Sequence, residues 1–207
     1  MEQRRNNYDI QASQAKKLFL TYDQQEIITR CRLAFDESHF YIRFLGSQYR
    51  INRQNGDVER EEAIGWQDAN SFEEVMTILD WLCDSRKDRF IAGKWVNIVT
   101  QNHAIHRDLQ EDGEDPLAVM FDKDPGGFDR ACCALGGIRQ SGADQSYVIE
   151  LVDDLQILVQ LWHGDEEFAP RLRLLWDENA TRYIRYETTW YAAALLRQRL
   201  LEKYQSI

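Results

Sequence analysis

The amino-acid sequence predicts an α+β fold: an antiparallel sheet built from two local meanders, at about 33–60 and 146–177, packed with N-terminal, central and C-terminal helices. Three observations carry this reading. Apolar residues alternate with period two in those stretches, as strands with one buried face require. Around them the apolar period lengthens to that of a helix. The strand-like segments stay grouped, so the strand-helix-strand rhythm of a parallel sheet is absent. With 207 residues, 43% of them hydrophobic, the chain can bury a full core. A single globular domain over 1–207 is expected, the alternative being two small lobes at about 1–100 and 101–207.

Tyr8, Ala12, Ala15, Leu18, Phe19 and Tyr22 recur at helical spacing, with Asn7 or Asp9 as N-cap, and predict a first helix ending near Tyr22. Asp23 followed three residues later by Glu26 is a capping-box-like start for a short helix through Ile27, Ile28 and Cys31. Phe40, Ile42 and Phe44, then Tyr49 and Ile51, alternate with polar or outward residues, and Leu45-Gly46-Ser47-Gln48 and Gln54-Asn55-Gly56-Asp57 are turn signals between them. Ser71 with Glu74 forms a second box ahead of Phe72, Val75, Met76, Leu79, Leu82 and Cys83, which predicts a core-facing helix over Ser71 to Asp84. Phe90 to Val99 reads as a turn leading into an edge strand. Gln101 to Asp124 lacks strong periodicity and reads as short helices and loops. Asp124-Pro125-Gly126-Gly127 is expected to be a turn, and Phe128 to Leu135 a helix stopped by Gly136-Gly137. Tyr147 to Val152 is a strand, and Asp153-Asp154 leads it into the next. Glu187 to Tyr204 closes the chain as a helix whose run Trp190 to Leu196 is apolar on every side and is expected to be buried.

Fold and chemistry coincide in Leu155 to Asp177, LQILVQLWHGDEEFAPRLRLLWD. Leu155, Ile157, Val159 and Leu161 mark one arm, and Leu172, Leu174 and Trp176 the other, joined by an acidic connection whose Gly164 and Pro170 suit a chain reversal. A slip of one residue would carry Gln156 and Gln160 into the core, so the register should be firmly set and the hairpin central in its sheet. Three adjacent carboxylates repel one another unless they are solvated or meet donors or cations. Trp162, His163, Asp165, Glu166, Glu167 and Phe168 are therefore the candidate binding residues. His163, Asp165 and Glu167 are candidate ligands for a divalent cation, or one of the carboxylates a general base. The competing structural reading has Asp165 capping the turn through backbone N–H groups while both glutamates face water or pair with Arg171 or Arg173.

The rest of the sequence narrows the function classes. A formal charge of -10, from 25 basic and 35 acidic side chains with no clustered basic patch, argues against nucleic acid. The basic start, Met1 to Asn7, is not followed by an apolar segment, and the longest apolar run is too short for a bilayer, so a cytoplasmic protein without membrane contact is expected. Asn179-Ala180-Thr181 fits a glycosylation sequon that would have no consequence there. Cys31, Cys83, Cys132 and Cys133 lack metal-site spacing and are expected to be structural, the last two pointing to different sides of a helix. His103 and His106 stand at i, i+3, as metal-binding pairs on a helix do, without an acidic partner at zincin spacing. Trp66 and Trp95, in segments that read as irregular, would mark a ligand or partner surface if exposed side by side. Asp144, Asp165 and Asp177 are candidate acids with no partner base identified by spacing. Phosphate-loop, dinucleotide-binding, nucleophile-elbow and H-E-x-x-H motifs are missing.

Read together, Trp162-His163-Gly164-Asp165-Glu166-Glu167-Phe168, Leu174-Leu175-Trp176-Asp177-Glu178-Asn179-Ala180 and the Tyr186-Glu187 helix start resemble an uncharacterised family of bacterial and archaeal proteins, common in anaerobes and labelled only as a domain of unknown function. Its members share a W-x-G-D-E-E-F-P-like loop, an apolar strand ending in Asp and a C-terminal helix. Leu45-Gly46 with Tyr49, the Leu79 to Leu82 helix, Gly93-Lys94-Trp95-Val96 and Leu135-Gly136-Gly137 fit as well, so the resemblance runs from about Asp23 to the C-terminus. It implies a shared acidic loop, with no activity, substrate or catalytic residue attached. Some members are joined to cysteine-rich iron-sulfur modules, which this chain lacks. Here Ala169 precedes Pro170, where relatives often place Pro directly after Phe, and this alters the loop's exit. Two function classes follow. One is a non-catalytic interaction or regulatory domain that uses the acidic loop to engage a protein with a basic surface, as a monomer or an oligomer. The other is a small metal-dependent or carboxylate-based enzyme with its site at the His163–Glu167 loop. No cofactor is indicated beyond such a divalent cation.

Overall fold

The computed structural model describes residues 7–69, 71–98 and 115–206. The fold is α+β, with two five-stranded antiparallel sheets. It divides into two compact units, Met1–Phe90 with Thr181–Leu195 and Ile91–Ala180 with Leu196–Ile207.

The first unit opens with α1 (Asn7–Phe19) and α2 (Gln24–Cys31). Asp23 caps α2 as its spacing predicts, accepting from the N–H groups of Gln25 and Glu26. The stripe expected on α1 is narrower than the sequence suggests. Phe19 is fully buried and Tyr8 meets the ring of Phe72 at 5.0 Å, but Leu18 lies outside the docked face and is exposed. Strands β1 (Ala34–Phe35), β2 (His39–Phe44), β3 (Ser47–Asn52), β4 (Val58–Glu62) and β5 (Gly65–Asp68) follow in sheet order. Leu45 and Gly46 both adopt positive φ, 44° and 75°, which gives the β2–β3 turn the hand that matches strand twist. Phe40, Ile42, Phe44, Tyr49, Ile51 and Val58 bury one face of the sheet. The other carries Tyr41, Arg50, Glu59 and Trp66, with Arg50 bidentate to Glu59 at 2.7 and 2.8 Å and 4.8 Å from the Trp66 ring. Trp66 thus stands in a strand, not an irregular segment; β5 was hidden because Trp66 is its one apolar side chain of any size. Helix α3 (Phe72–Asp84) starts at its Ser71 cap. Its Glu74 is buried and accepts from Tyr49 Oη at 2.5 Å and Arg60 at 3.2 Å.

The second unit holds the short strand β6 (Trp95–Val96), helices α4 (Pro116–Lys123) and α5 (Pro125–Ala134), and strands β7 (Ile138–Gln140), β8 (Gln145–Val152), β9 (Leu155–Trp162) and β10 (Arg171–Asp177) in the order β6-β10-β9-β8-β7. Trp95 is therefore also in a strand. The predicted hairpin is β9–β10, and β9 is the middle strand. Gln160, expected to stay out of the core, is buried, and its amide donates to the Gly142 carbonyl at 3.3 Å. Asp124 to Gly127 is not a free turn but the cap and first turn of α5: Asp124 accepts from Gly127 N–H, and Pro125 takes the position where no donor is needed. Gly127 is required by packing, since an added Cβ would overlap the ring of Tyr204. Cys132 and Cys133 do point apart, but Cys133 is exposed, so only the other three pack as core groups. The last helix, α6 (Tyr186–Gln205), contains the point at which the two units divide. The burial expected throughout Trp190 to Leu196 holds for Ala192, Leu195 and Leu196, while Ala194 is exposed. Among the described residues no helix is long and apolar enough to cross a membrane. His103 and His106 lie outside the described residues.

Candidate functional site

Strand register gathers the acidic loop with other polar segments of the second unit. Gln140 pairs with Ser146, Gln145 with Leu161 and Arg171 with Trp162, so the 141–144 connection and the 163–170 loop leave the sheet at one end. Asp122, in the last turn of α4, reaches the same place. Its Oδ1 lies 2.7 Å from His163 Nδ1 and accepts from Gly164 N–H at 3.3 Å. Asp144 accepts the His163 backbone N–H at 2.8 Å. Two carboxylates from separate elements thus hold the start of the loop.

The loop then closes on itself. Asp165 Oδ1 accepts from the N–H groups of Glu167 and Phe168, both at 2.8 Å, while its own N–H donates to the Phe168 carbonyl at 2.9 Å. Those two donors hold the Asp165 carboxyl below the ordinary carboxylate value. Gly164 sits where the loop's ends approach, and a Cβ there would come 2.8 Å from Pro170 Cδ. What remains outward is Glu166, Glu167, Phe168, 69% exposed, and Trp162, 40% exposed. His163, Asp165 and Glu167, the trio considered for a cation, are not gathered: the first is bonded to Asp122, and the second to the turn's own backbone. Among the described residues no three His, Cys, Asp or Glu side chains are placed to hold a metal. Asp177, another candidate acid, is buried and accepts from the N–H groups of Ala92, Gly93 and Asn179.

Sequence reasoning missed Asp122 because it stands 41 positions from His163 and no local spacing links them. It also missed a polar cluster in the first unit, where Asp80 and Asp84 lie one turn apart on α3. Asp80 accepts the Arg185 backbone N–H at 2.8 Å and faces Arg185 Nε at 3.1 Å; Asp84 pairs with Arg185 and accepts from Tyr22 Oη at 3.0 Å. Two acids at i, i+4 in the apolar second half of α3 were the available signal. Burial holds the Asp80 carboxyl above its ordinary value of 3.8, against the pull of Thr188 and Arg185. Its folded form therefore keeps the proton more readily than its unfolded form. The stability this contributes is complete below 3.8 and is lost as pH rises through the raised folded value. The stability deficit of Asp80→Asn relative to the wild type should accordingly shrink as pH is raised from 3.8 upward, read by urea denaturation across a pH series. A deficit that widens over that range contradicts the assignment.

The fold and loop together define an α+β protein with an internally bonded acidic hairpin. The chain belongs to the family described as a domain of unknown function (DUF3786), whose profile matches residues 23–199. No curated protein and no solved structure matches it.

Proposed function

We propose that this protein is a non-catalytic interaction or regulatory domain that uses the 163–170 loop to engage a protein with a basic surface. The observation that carries this reading is the division of labour within the loop. Asp165 and His163 are engaged in holding its shape, which leaves Glu166, Glu167, Phe168 and Trp162 for a partner. A loop already fixed loses little conformational freedom on binding, and an exposed aromatic ringed by charge suits a desolvated anchor with a polar rim. Acidic residues at the same end of the sheet, Asp122 and Asp144, extend the negative field that would steer a basic partner. The W-x-G-D-E-E-F segment is, in this reading, the feature the family shares across bacteria and archaea. The thiols of Cys31, Cys83, Cys132 and Cys133, three of them buried, suit a cytoplasmic setting.

A photo-crosslinking residue at position 168, introduced into the chain in its native cells, should give a protein adduct. That adduct should be absent with the probe at Ile64, which is more exposed than Phe168, and should be lost on E166K/E167K. An adduct pattern the same at both positions, or indifferent to charge reversal, overturns the proposal. The second reading is a metal-dependent or carboxylate-based enzyme, favoured by the 2.7 Å Asp122–His163 contact, in which a carboxylate orients an imidazole as acid-base sites do. Calorimetric titration with Mg²⁺, Mn²⁺, Zn²⁺ and Ca²⁺ separates the two: heat abolished by Asp165→Ala would favour the metal-dependent form.

A further inference from the structure

Helix α1 lies outside the residues matched by the family profile and is docked by one side only. Ala12, Ala15, Lys16 and Phe19 make up the docked side, where Phe19 is fully buried and Lys16 Nζ meets Asp57 at 2.7 Å, and Tyr8 touches Phe72 at its edge while staying 57% exposed. At 100° per residue, Ile10, Gln14, Lys17 and Leu18 fall on the opposite side, and all four are exposed, Ile10 by 41% and Leu18 by 44%. This face sets Ile10 and Leu18 beside the polar Gln14 and the cationic Lys17, and Arg4 and Arg5 precede it in the sequence. The first twenty residues carry Arg4, Arg5, Lys16 and Lys17 against only Glu2 and Asp9, in a chain whose formal charge is -10.

That polarity is the complement of the hairpin loop, where Phe168 and Trp162 stand beside Glu166 and Glu167. We infer that the protein self-associates, the loop of one copy gripping the outer face of α1 of a second copy. The inference rests on the proposed role of the loop and names its partner. Each side supplies apolar groups that are otherwise wet, and the charges select orientation: two copies of net charge -10 repel in most encounters and attract where the basic N-terminal stretch, with Lys17 on the outer face of α1, meets an acidic loop. Because Lys17, Glu166 and Glu167 are exposed, the attraction is screened by salt.

Sedimentation equilibrium of the full chain over a range of concentrations is the test. Expected is a species heavier than the monomer that dissociates at high salt. Lys17→Glu alone and E166K/E167K alone should each weaken self-association by about tenfold or more, since each places like charges across the contact. Mixing the two variants should restore it, because the unaltered loop of the first then meets the unaltered helix of the second, and the two altered surfaces are again opposite in charge. That restoration also shows that both variants are folded. A monomer at every concentration, association indifferent to Lys17→Glu, or a mixture that stays monomeric overturns the inference. The role of the loop is judged separately: a position-168 adduct to a different protein would leave it standing while this inference falls, and no specific adduct would remove both.

Discussion

Arg30→Ala is expected to destabilise the first unit by about 2–4 kcal/mol, because it takes the donors from several buried carbonyls at once. Arg30 is 9% exposed, and among the described residues its guanidinium is not paired with a buried carboxylate. Its Nη1 donates to the Ser85 carbonyl at 2.5 Å and to Ser85 Oγ at 2.9 Å, and its Nη2 donates to the carbonyls of Leu82 at 2.8 Å and Cys83 at 3.2 Å. These carbonyls end α3, where the last turn has no intrahelical donors left and carries the negative end of the helix dipole. The fork of one arginine therefore answers several orphan acceptors at once, and the helix end neutralises the charge. Glu26, 3.9 Å from Arg30 Nε and half exposed, adds little. Truncation strands the carbonyls in a site closed to water. Arg30→Lys should recover less than half of the loss, because an ammonium cannot span acceptors set for a planar fork. Urea denaturation of the three proteins checks this, and a lysine variant as stable as wild type would show that charge alone, not geometry, holds the helix end.

Arg30 also marks the boundary of what the sequence discloses. Elements defined by local rules were legible: the Asp23 and Ser71 caps, the β2–β3 turn at Leu45-Gly46, the β9–β10 hairpin from its alternation, and α3 from its stripe. Elements whose identity depends on a neighbour were not. β5 pairs with β4 although Gly65-Trp66-Gln67-Asp68 has no apolar alternation, and β7 is three exposed residues that exist by pairing with β8. Pro-Gly-Gly after Asp124 reads as a turn because its glycines suggest flexibility, yet Gly127 is there to let Tyr204 approach. The candidate site divides the same way. The acidic loop and the turn-capping role of Asp165 follow from residue types within four positions, whereas Asp122 and Asp80 acquire their roles only through contacts 41 and 105 positions away. Spacing arguments reach as far as a turn or a hairpin, and both charge clusters are closed by residues beyond that reach.

Asp177→Ala is the second large effect expected, about 3 kcal/mol from the second unit, since a buried carboxylate that accepts several backbone donors leaves each of them unsatisfied when it is removed. Asp177 is 1% exposed. Its Oδ1 accepts from Ala92 N–H at 3.0 Å and Asn179 N–H at 2.9 Å, and its Oδ2 from Gly93 N–H at 2.8 Å. These bonds fix the approach of the chain to β6, whose Trp95 pairs with Asp177 itself, and they are seconded by Glu178 N–H donating to the Lys94 carbonyl at 2.9 Å. The Gly93-Lys94-Trp95-Val96 step and the strand ending in Asp, separate features of the sequence, are thus two halves of one contact. Asp177→Asn keeps one acceptor oxygen and turns the other into a donor facing a donor, so it should fall between alanine and wild type. Amide hydrogen exchange locates the effect: Ala92, Gly93 and Asn179 should lose protection in the alanine variant, while Glu167 and Phe168, at the other end of β10 and held by Asp165, should keep theirs. Unchanged protection at Ala92 and Gly93 would mean that β6 is held to the sheet by its strand pairing alone, and that the carboxylate is dispensable there.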